Sequence, residues 1–332
     1  MKKSILLMLC GGFSSSLSVS YAASNAQGQA AAYQKIGIDA RILGMGGAGV
    51  AVTGDTNSTY WNPAGLSRLK RPEAAAMHTS LTLDRNYNYF SYSVPKKGGL
   101  TFGFAYHRFS VDGIPETRIY DGTRGMLAID VDGNGRFDDP VLTQDGANPA
   151  ANPNRATDSV KVFSYFEDAE TSYSLSAAKD LNKKLSLGAT LKFLEQTLFT
   201  EKANGTGLDL GLQYRHSSRV TFGLAFKDLF ESLKWSTGRK DDVPVTTTIG
   251  GAFKLKSGAL VSVDAVKREH EKFGMRFGAE KWFMNKYGLR VGNKEGEFTV
   301  GASAIVKEWT FDYAYNDEDL GSVQRISLKR SF

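Results

Sequence analysis

One cysteine, four histidines and eight prolines are spread over 332 residues. The cysteine, Cys10, falls in an N-terminal stretch that reads as a cleavable leader, so disulfide and thiolate chemistry are excluded from the mature chain. The histidines, at 78, 107, 216 and 270, have no metal-ligand spacing among them. GxSxG, HExxH and P-loop motifs are absent. Only a Ser–His–acid set assembled in space would escape such a search, and the chain is read as a non-enzyme. After the leader no apolar run is long enough for a transmembrane helix, and mean hydropathy is −0.29. Scarce proline leaves long strands uninterrupted, because proline cannot donate to a sheet ladder.

The leader spans residues 1–22. Lys2 and Lys3 open it, an apolar stretch begins at Ile5, and Ser20, Tyr21 and Ala22 form a small-x-small cleavage site. Leu9 is too large for the position before a lipidated cysteine. Removing Lys2 and Lys3 lowers the formal net charge from +6 to +4.

What remains is rich in glycine and aromatics and alternates with period two from Pro72 onward. Leu100, Phe102, Phe104 and Tyr106 share one face; Thr101, Gly103, Ala105 and His107 share the other. Leu187, Ala189, Leu191 and Phe193 alternate with Gly188, Thr190 and Lys192, and Phe273, Met275 and Phe277 with Gly274, Arg276 and Gly278. Each run has the length of a tilted bilayer-crossing strand. A soluble sandwich would show the same alternation. The leader, the glycine-rich polar face and a strand ending in Phe332 favour an all-β, closed antiparallel transmembrane barrel of about 14 strands, with 160–167 and 170–181 counted as one bent strand. The apolar face then meets outer-membrane lipid, and the C-terminal strand ending in Phe332 is what the barrel assembly machinery would engage. Short turns at 95–98, 181–184, 256–258 and 284–286 belong at the periplasmic end, and Tyr87, Tyr89, Tyr92, Trp235, Trp282 and Trp309 are expected in interfacial girdles. Inward ions, among them Lys192, Asp209, Lys227, Lys254, Asp264, Arg276, Glu280, Arg290 and Asp312, nearly balance and read as structural pairs.

Residues 44–66, GMGGAGVAVTGDTNSTYWNPAGL, open as a literal GxGxxG. A dinucleotide site is rejected, because no buried strand precedes the motif and no crossover helix follows. A compact segment in a confined space fits better, since Gly44, Gly46, Gly47 and Gly65 allow close backbone approach and Asn62-Pro63 turns the chain. The chain divides into the leader, an N-terminal hatch at 23–70 and a barrel at 71–332. Arg41, Asp55 and Asn62 are the hatch residues expected to bond inside the lumen, with Arg276 and Arg290 as candidate partners between which the sequence does not choose.

This stretch resembles the hatch signature of FadL-type outer-membrane proteins, and more closely their shorter PorV/PorQ-like relatives. The segment from Trp309 through Asp312, Tyr313, Tyr315 and Leu320 to Arg325 and Leu328 is similar to the same group. The resemblance implies a protein of the outer membrane of a Gram-negative bacterium, with a hatch that occludes the lumen. It implies either passage of a hydrophobic small molecule out through a gap in the wall, or a surface component of a secretion system that receives exported proteins. The chain is shorter than typical FadL transporters.

The one large insertion, 111–159, carries nine acidic residues against four arginines between positions 112 and 158. That balance favours cations and excludes a nucleic-acid surface. Asp130, Asp132, Asn134 and Asp138 place oxygen ligands at positions 1, 3, 5 and 9 of a calcium loop, with Gly135 at 6 and the Arg136 carbonyl at 7. Val141 replaces the bidentate glutamate at 12, where Asp139 is the nearest substitute; an acidic solvated turn would use the same residue types. Calcium is expected to protect this loop from protease in the wild type but not in D130A/D132A. Identical digestion in calcium and in chelator would leave only the acidic turn.

Overall fold

The computed structural model describes residues 30–332 apart from 83, 97, 122–124, 127–158 and 319–320. The leader and the 130–139 motif therefore lie outside the described residues. The strands are β1 (Glu73–Leu81), β2 (Arg85–Pro95), β3 (Leu100–Asp121), β4 (Gly125–Met126), β5 (Ser159–Asp180), β6 (Leu185–Leu198), β7 (Glu201–Arg215), β8 (Val220–Trp235), β9 (Lys240–Asp242), β10 (Thr246–Lys254), β11 (Leu260–Arg268), β12 (Phe273–Phe283), β13 (Tyr287–Lys294), β14 (Glu297–Val306), β15 (Trp309–Glu318) and β16 (Gly321–Ser331). Among the described residues β4 pairs only with β3, and β9 only with β8, beside which β10 also lies. The other fourteen form one antiparallel ring. It closes where β16 pairs with β1, in register from Glu73 opposite Ser331 to His78 opposite Ile326. An even strand number is what an up-and-down barrel of this class requires.

The period-two pattern gives the ring an apolar outer face. Phe102, Leu191, Phe222, Phe277, Val291 and Phe311 stand exposed on successive outer walls. Their neighbours along the strands, including Ser91, Ser93, Ser174, Ser176, Thr190 and Ser262, are buried inside. Water would penalise so much exposed apolar surface, whereas hydrocarbon does not. The turns after β2, β5, β7, β10, β12 and β14 are short and share one end with the segment that enters β1. The turns expected at the periplasmic end, 95–98, 181–184, 256–258 and 284–286, all lie here.

Three sequence expectations are corrected. Tyr87 and Tyr89 are 0 % and 3 % exposed and point into the lumen, while Tyr92 lies on the outer face; in β2 the inward parity falls on Tyr87, Tyr89, Ser91 and Ser93. Part of the expected 111–159 insertion is strand, because β3 runs on to Asp121 and β5 begins at Ser159. Beyond Val111 and Asp168 the two continue as a two-stranded ribbon past their outer neighbours β2 and β6. β8 extends to Trp235 rather than stopping near 228, because an irregular backbone at Asp228 and Phe230 hides its continuation from a period-two reading. Residues 160–180 form one strand, as the even count requires.

A closed ring of fourteen paired strands resists detergent denaturation as a unit. The purified protein is expected to migrate differently in SDS gels before and after boiling. A single band unaffected by heat, from protein soluble without detergent, would contradict the closed barrel.

Candidate functional site

The segment before β1 runs through four short helical turns, at Ala32–Lys35, Ala40–Leu43, Ser58–Trp61 and Pro63–Arg68. Each is too short to stand alone. Local chemistry sets the breaks between them. The Asp39 side chain accepts from Arg41 N at 3.0 Å to start one turn. Gly46 and Gly47 follow with φ of 66° and 72°, which glycine adopts without strain. Asn62 is extended, accepts from Ala64 N through its side chain at 3.2 Å, and hands over to Pro63 at the first position of the last turn.

Turns this short leave many backbone groups unpaired, and inward side chains of the wall take them. Ala40 N donates to Ser327 Oγ on β16, Gly46 N to Thr299 Oγ1 on β14, Val50 N to Asp264 Oδ2 on β11 and Thr56 N to Glu73 Oε1 on β1, each at 2.9 Å. Asn62 Nδ2 donates to the carbonyls of Val50 at 2.8 Å and of Leu212 on β7 at 3.1 Å. Gln213 Nε2 donates to Thr53 O at 2.9 Å. Partners on strands all round the ring place this segment in the lumen.

Wall glycines make the room. A Cβ at Gly188 would overlap Pro63, at Gly211 Asn62, at Gly223 Val50, at Gly278 Met45 and at Gly292 the Met45–Gly46 peptide. Within the segment, Gly44 faces Gly301 backbone to backbone, Gly46 lies on the Asn293 peptide, and Gly65 is enclosed by Ser58 and Thr53. The glycine-rich polar face read from the sequence is thus the imprint of the segment it encloses.

Charges are paired across the same boundary. Arg41 holds Glu280 through two bonds of 2.8 Å. Arg290 donates to the same Glu280 at 2.7 Å and lies 3.4 Å from Asp312. Asp55 pairs with Lys329 at 2.7 Å, which corrects the expected arginine partners: Arg290 belongs to Glu280, and Arg276 lies 3.4 Å from Glu295. Lys254 is exposed at the end of its strand. Lys329 sits on the inward parity of β16 with Ser327, a pattern visible in the sequence once the final strand is written out.

A second cluster gathers around buried Lys192, whose Nζ lies 3.1 Å from Asp209, 2.5 Å from Asp228 and 2.5 Å from Glu231. Gln34 joins it, accepting from Lys192 at 2.9 Å and donating to Glu231 at 2.5 Å. Asp228 and Glu231 reach it through two register slips of β8 against β7: Thr206 faces Ser232, Leu208 faces Leu229 and Leu210 faces Phe226. Asp228 and Phe230 take φ of 65° and 55°, a conformation costly for residues with a Cβ. The three carboxylates are close enough to share a cation, and the Lys192 ammonium already supplies that charge. These two residues escaped sequence reading because a bulge breaks the alternation that identifies inward positions.

His107 is 5 % exposed, with the Tyr87 hydroxyl 3.4 Å from Nδ1 and the Tyr60 and Tyr89 rings 5.6 and 4.9 Å away. It is a packed lumen residue. A cavity of about 40 Å³ remains between segment and wall, bordered by Leu43, Val50 and Trp61 of the segment and by the charged Asp264, Arg268 and Arg276 of the wall. That is room for water but well short of an organic ligand's pocket.

No family model and no curated protein matches the chain. Solved structures do. The CymD monoaromatic hydrocarbon channel superposes with a TM-score of 0.55 at 14% identity, over 90% of this chain and 98% of that one. The toluene transporter TodX of Pseudomonas putida gives 0.54 at 13% identity, over 89% and 99%. A FadL homologue from Pseudomonas aeruginosa gives 0.54 at 10% identity, over 86% and 96%. At these identities the likeness is one of fold.

Removing Lys192 would leave three buried carboxylates with no cation among them. K192M is expected to destabilise the folded barrel by about 3–5 kcal/mol, read as a lower urea midpoint, with part of the loss recovered in K192M/D228N. An unchanged midpoint would show that the cluster does not hold the segment or the bulge.

Proposed function

We propose that this chain is an outer-membrane channel for hydrophobic small molecules, closed at rest by its N-terminal segment acting as a hatch. The packing of that segment carries the reading. An open porin keeps a polar, water-filled lumen. Here the lumen is occupied, glycines let the filler seat directly on the wall, and the segment's own side of the residual cavity is Leu43, Val50, Tyr60 and Trp61, facing the wall charges Lys227, Asp264, Arg268 and Arg276. A passing molecule must displace part of the hatch, and the apolar and aromatic side chains uncovered would meet an apolar solute. The fold supports the same reading, since the solved structures it resembles include channels described as carrying monoaromatic hydrocarbons and toluene.

Passage on this account depends on how firmly the hatch is latched. The Arg41–Glu280 and Asp55–Lys329 pairs join it to β12 and β16. Both are part-buried or buried, so loss of one partner leaves a charge that water reaches poorly.

The intact protein is expected to conduct little in planar bilayers. Deleting residues 23–66 should open a steady water-filled conductance if the barrel still folds, and D55A should give intermittent openings. Intact protein should support saturable uptake of toluene or another hydrophobic probe. A large steady conductance from the wild type would make it an ordinary porin. A closed barrel without uptake, co-purifying with exported proteins, would favour the secretion-assembly role instead.

A further inference from the structure

The outer wall has a concavity that the lumen reading leaves unused. A groove of about 410 Å³ crosses β3, β5, β6 and β7 on the lipid face, lined by Leu100, Ala177, Lys179, Leu187, Ala189 and Leu210. Its cause is local. Ala177 and Ala189 are cross-strand partners, so two methyl groups lie side by side where the belt otherwise carries large side chains. Leu175 and Leu191, two residues further along the same strands, stand 53 % and 44 % exposed above them. The backbone of Gly188 and Gly211 completes the floor. Pro63 and Asn62 press on those two glycines from inside, so the floor is backed by the hatch and cannot be pushed inward.

The groove opens at the short-turn end of the barrel, and that end is basic. Lys179 lines the groove itself and makes no ion pair with any described residue. Lys96, in the turn before β3, places Nζ 5.3 Å from the centroid of Phe102, which holds its ammonium against the outer wall. Lys183 and Lys184 are exposed in the turn between β5 and β6. The nearby carboxylate, Asp180, is already paired with Arg215 at 2.6 Å. The result is an apolar trough that ends at several lysines free to face an external anion.

We propose that this groove binds one anionic phospholipid of the periplasmic leaflet, with an acyl chain over Ala177 and Ala189 and its phosphate at Lys179 and Lys96. The inference rests on the barrel lying in a bilayer, not on what crosses it. Charge complementarity selects this occupant. A second copy docked face to face by two-fold symmetry would set Lys179 and Lys96 against their own counterparts, which like-charge repulsion opposes. A zwitterionic lipid brings no net charge to the lysines.

The test is native mass spectrometry of delipidated protein in detergent, titrated with dioleoylphosphatidylglycerol or dioleoylphosphatidylcholine. Variants are first checked for heat-modifiable migration, so that a failed barrel is not mistaken for a failed site. Wild type is expected to retain one phosphatidylglycerol in preference to phosphatidylcholine. A189W should fill the groove and abolish that retention, whereas V291W, on the lipid face of β13 across the ring, should keep it. K96Q and K179Q should each weaken it about fivefold. Equal retention of both lipids, or retention unchanged in A189W, would overturn the proposal. So would a dimer in wild type that A189W converts to monomer, because a second copy would then be the occupant.

Discussion

A strand edge in hydrocarbon leaves N–H and C=O groups without partners, and each such group costs several kcal/mol. The chain meets this constraint where β16 returns to β1, and the rest of the architecture follows from that closure. Once the ring is shut, side chains can point only outward or inward to a confined lumen, so every strand carries two chemistries at period two. The segment that enters the lumen inherits the same problem in miniature. Its short turns cannot satisfy their own amides, so the wall supplies Ser327, Thr299, Asp264 and Glu73 as acceptors.

Two kinds of contact hold that segment, and they differ in what they permit. Glycine against backbone gives closeness but little specificity, and such contacts can slide. Ion pairs such as Arg41–Glu280 and Asp55–Lys329 are discrete and must break for movement. The Lys192 cluster adds a third element. It joins Gln34 of the segment to the bulge of β8, so the position of the segment and the shape of one wall strand are fixed by the same four side chains.

The parts legible in the sequence were those that obey a period. Fourteen strands, their inward faces and the short turns follow from alternation and turn residues, and Lys192, Asp209, Asp264, Glu280 and Arg290 fell on the inward parity. The failures come where the period breaks or the register is silent. Tyr87 and Tyr89 look like girdle aromatics because residue type, not parity, suggested their place. Asp228 and Glu231 follow a double slip that no alternation reveals. The pairing of Asp55 with Lys329 joins residues 274 apart, and only the order of strands around the ring brings them together.

The account stands on the segment being seated in the lumen and having to move for passage. Thr56 Oγ1 and Ser93 Oγ lie 2.9 Å apart between the segment and β2, both fully buried. In a T56C/S93C protein freed of Cys10, a disulfide would fix the hatch to the wall without adding bulk. Uptake of toluene by cells carrying this variant, measured oxidised and then reduced, is the direct test. The account predicts that the disulfide forms, that uptake is lost while it is intact, and that reduction restores uptake. Undiminished uptake through the locked protein, or failure of the two cysteines to join, would contradict it.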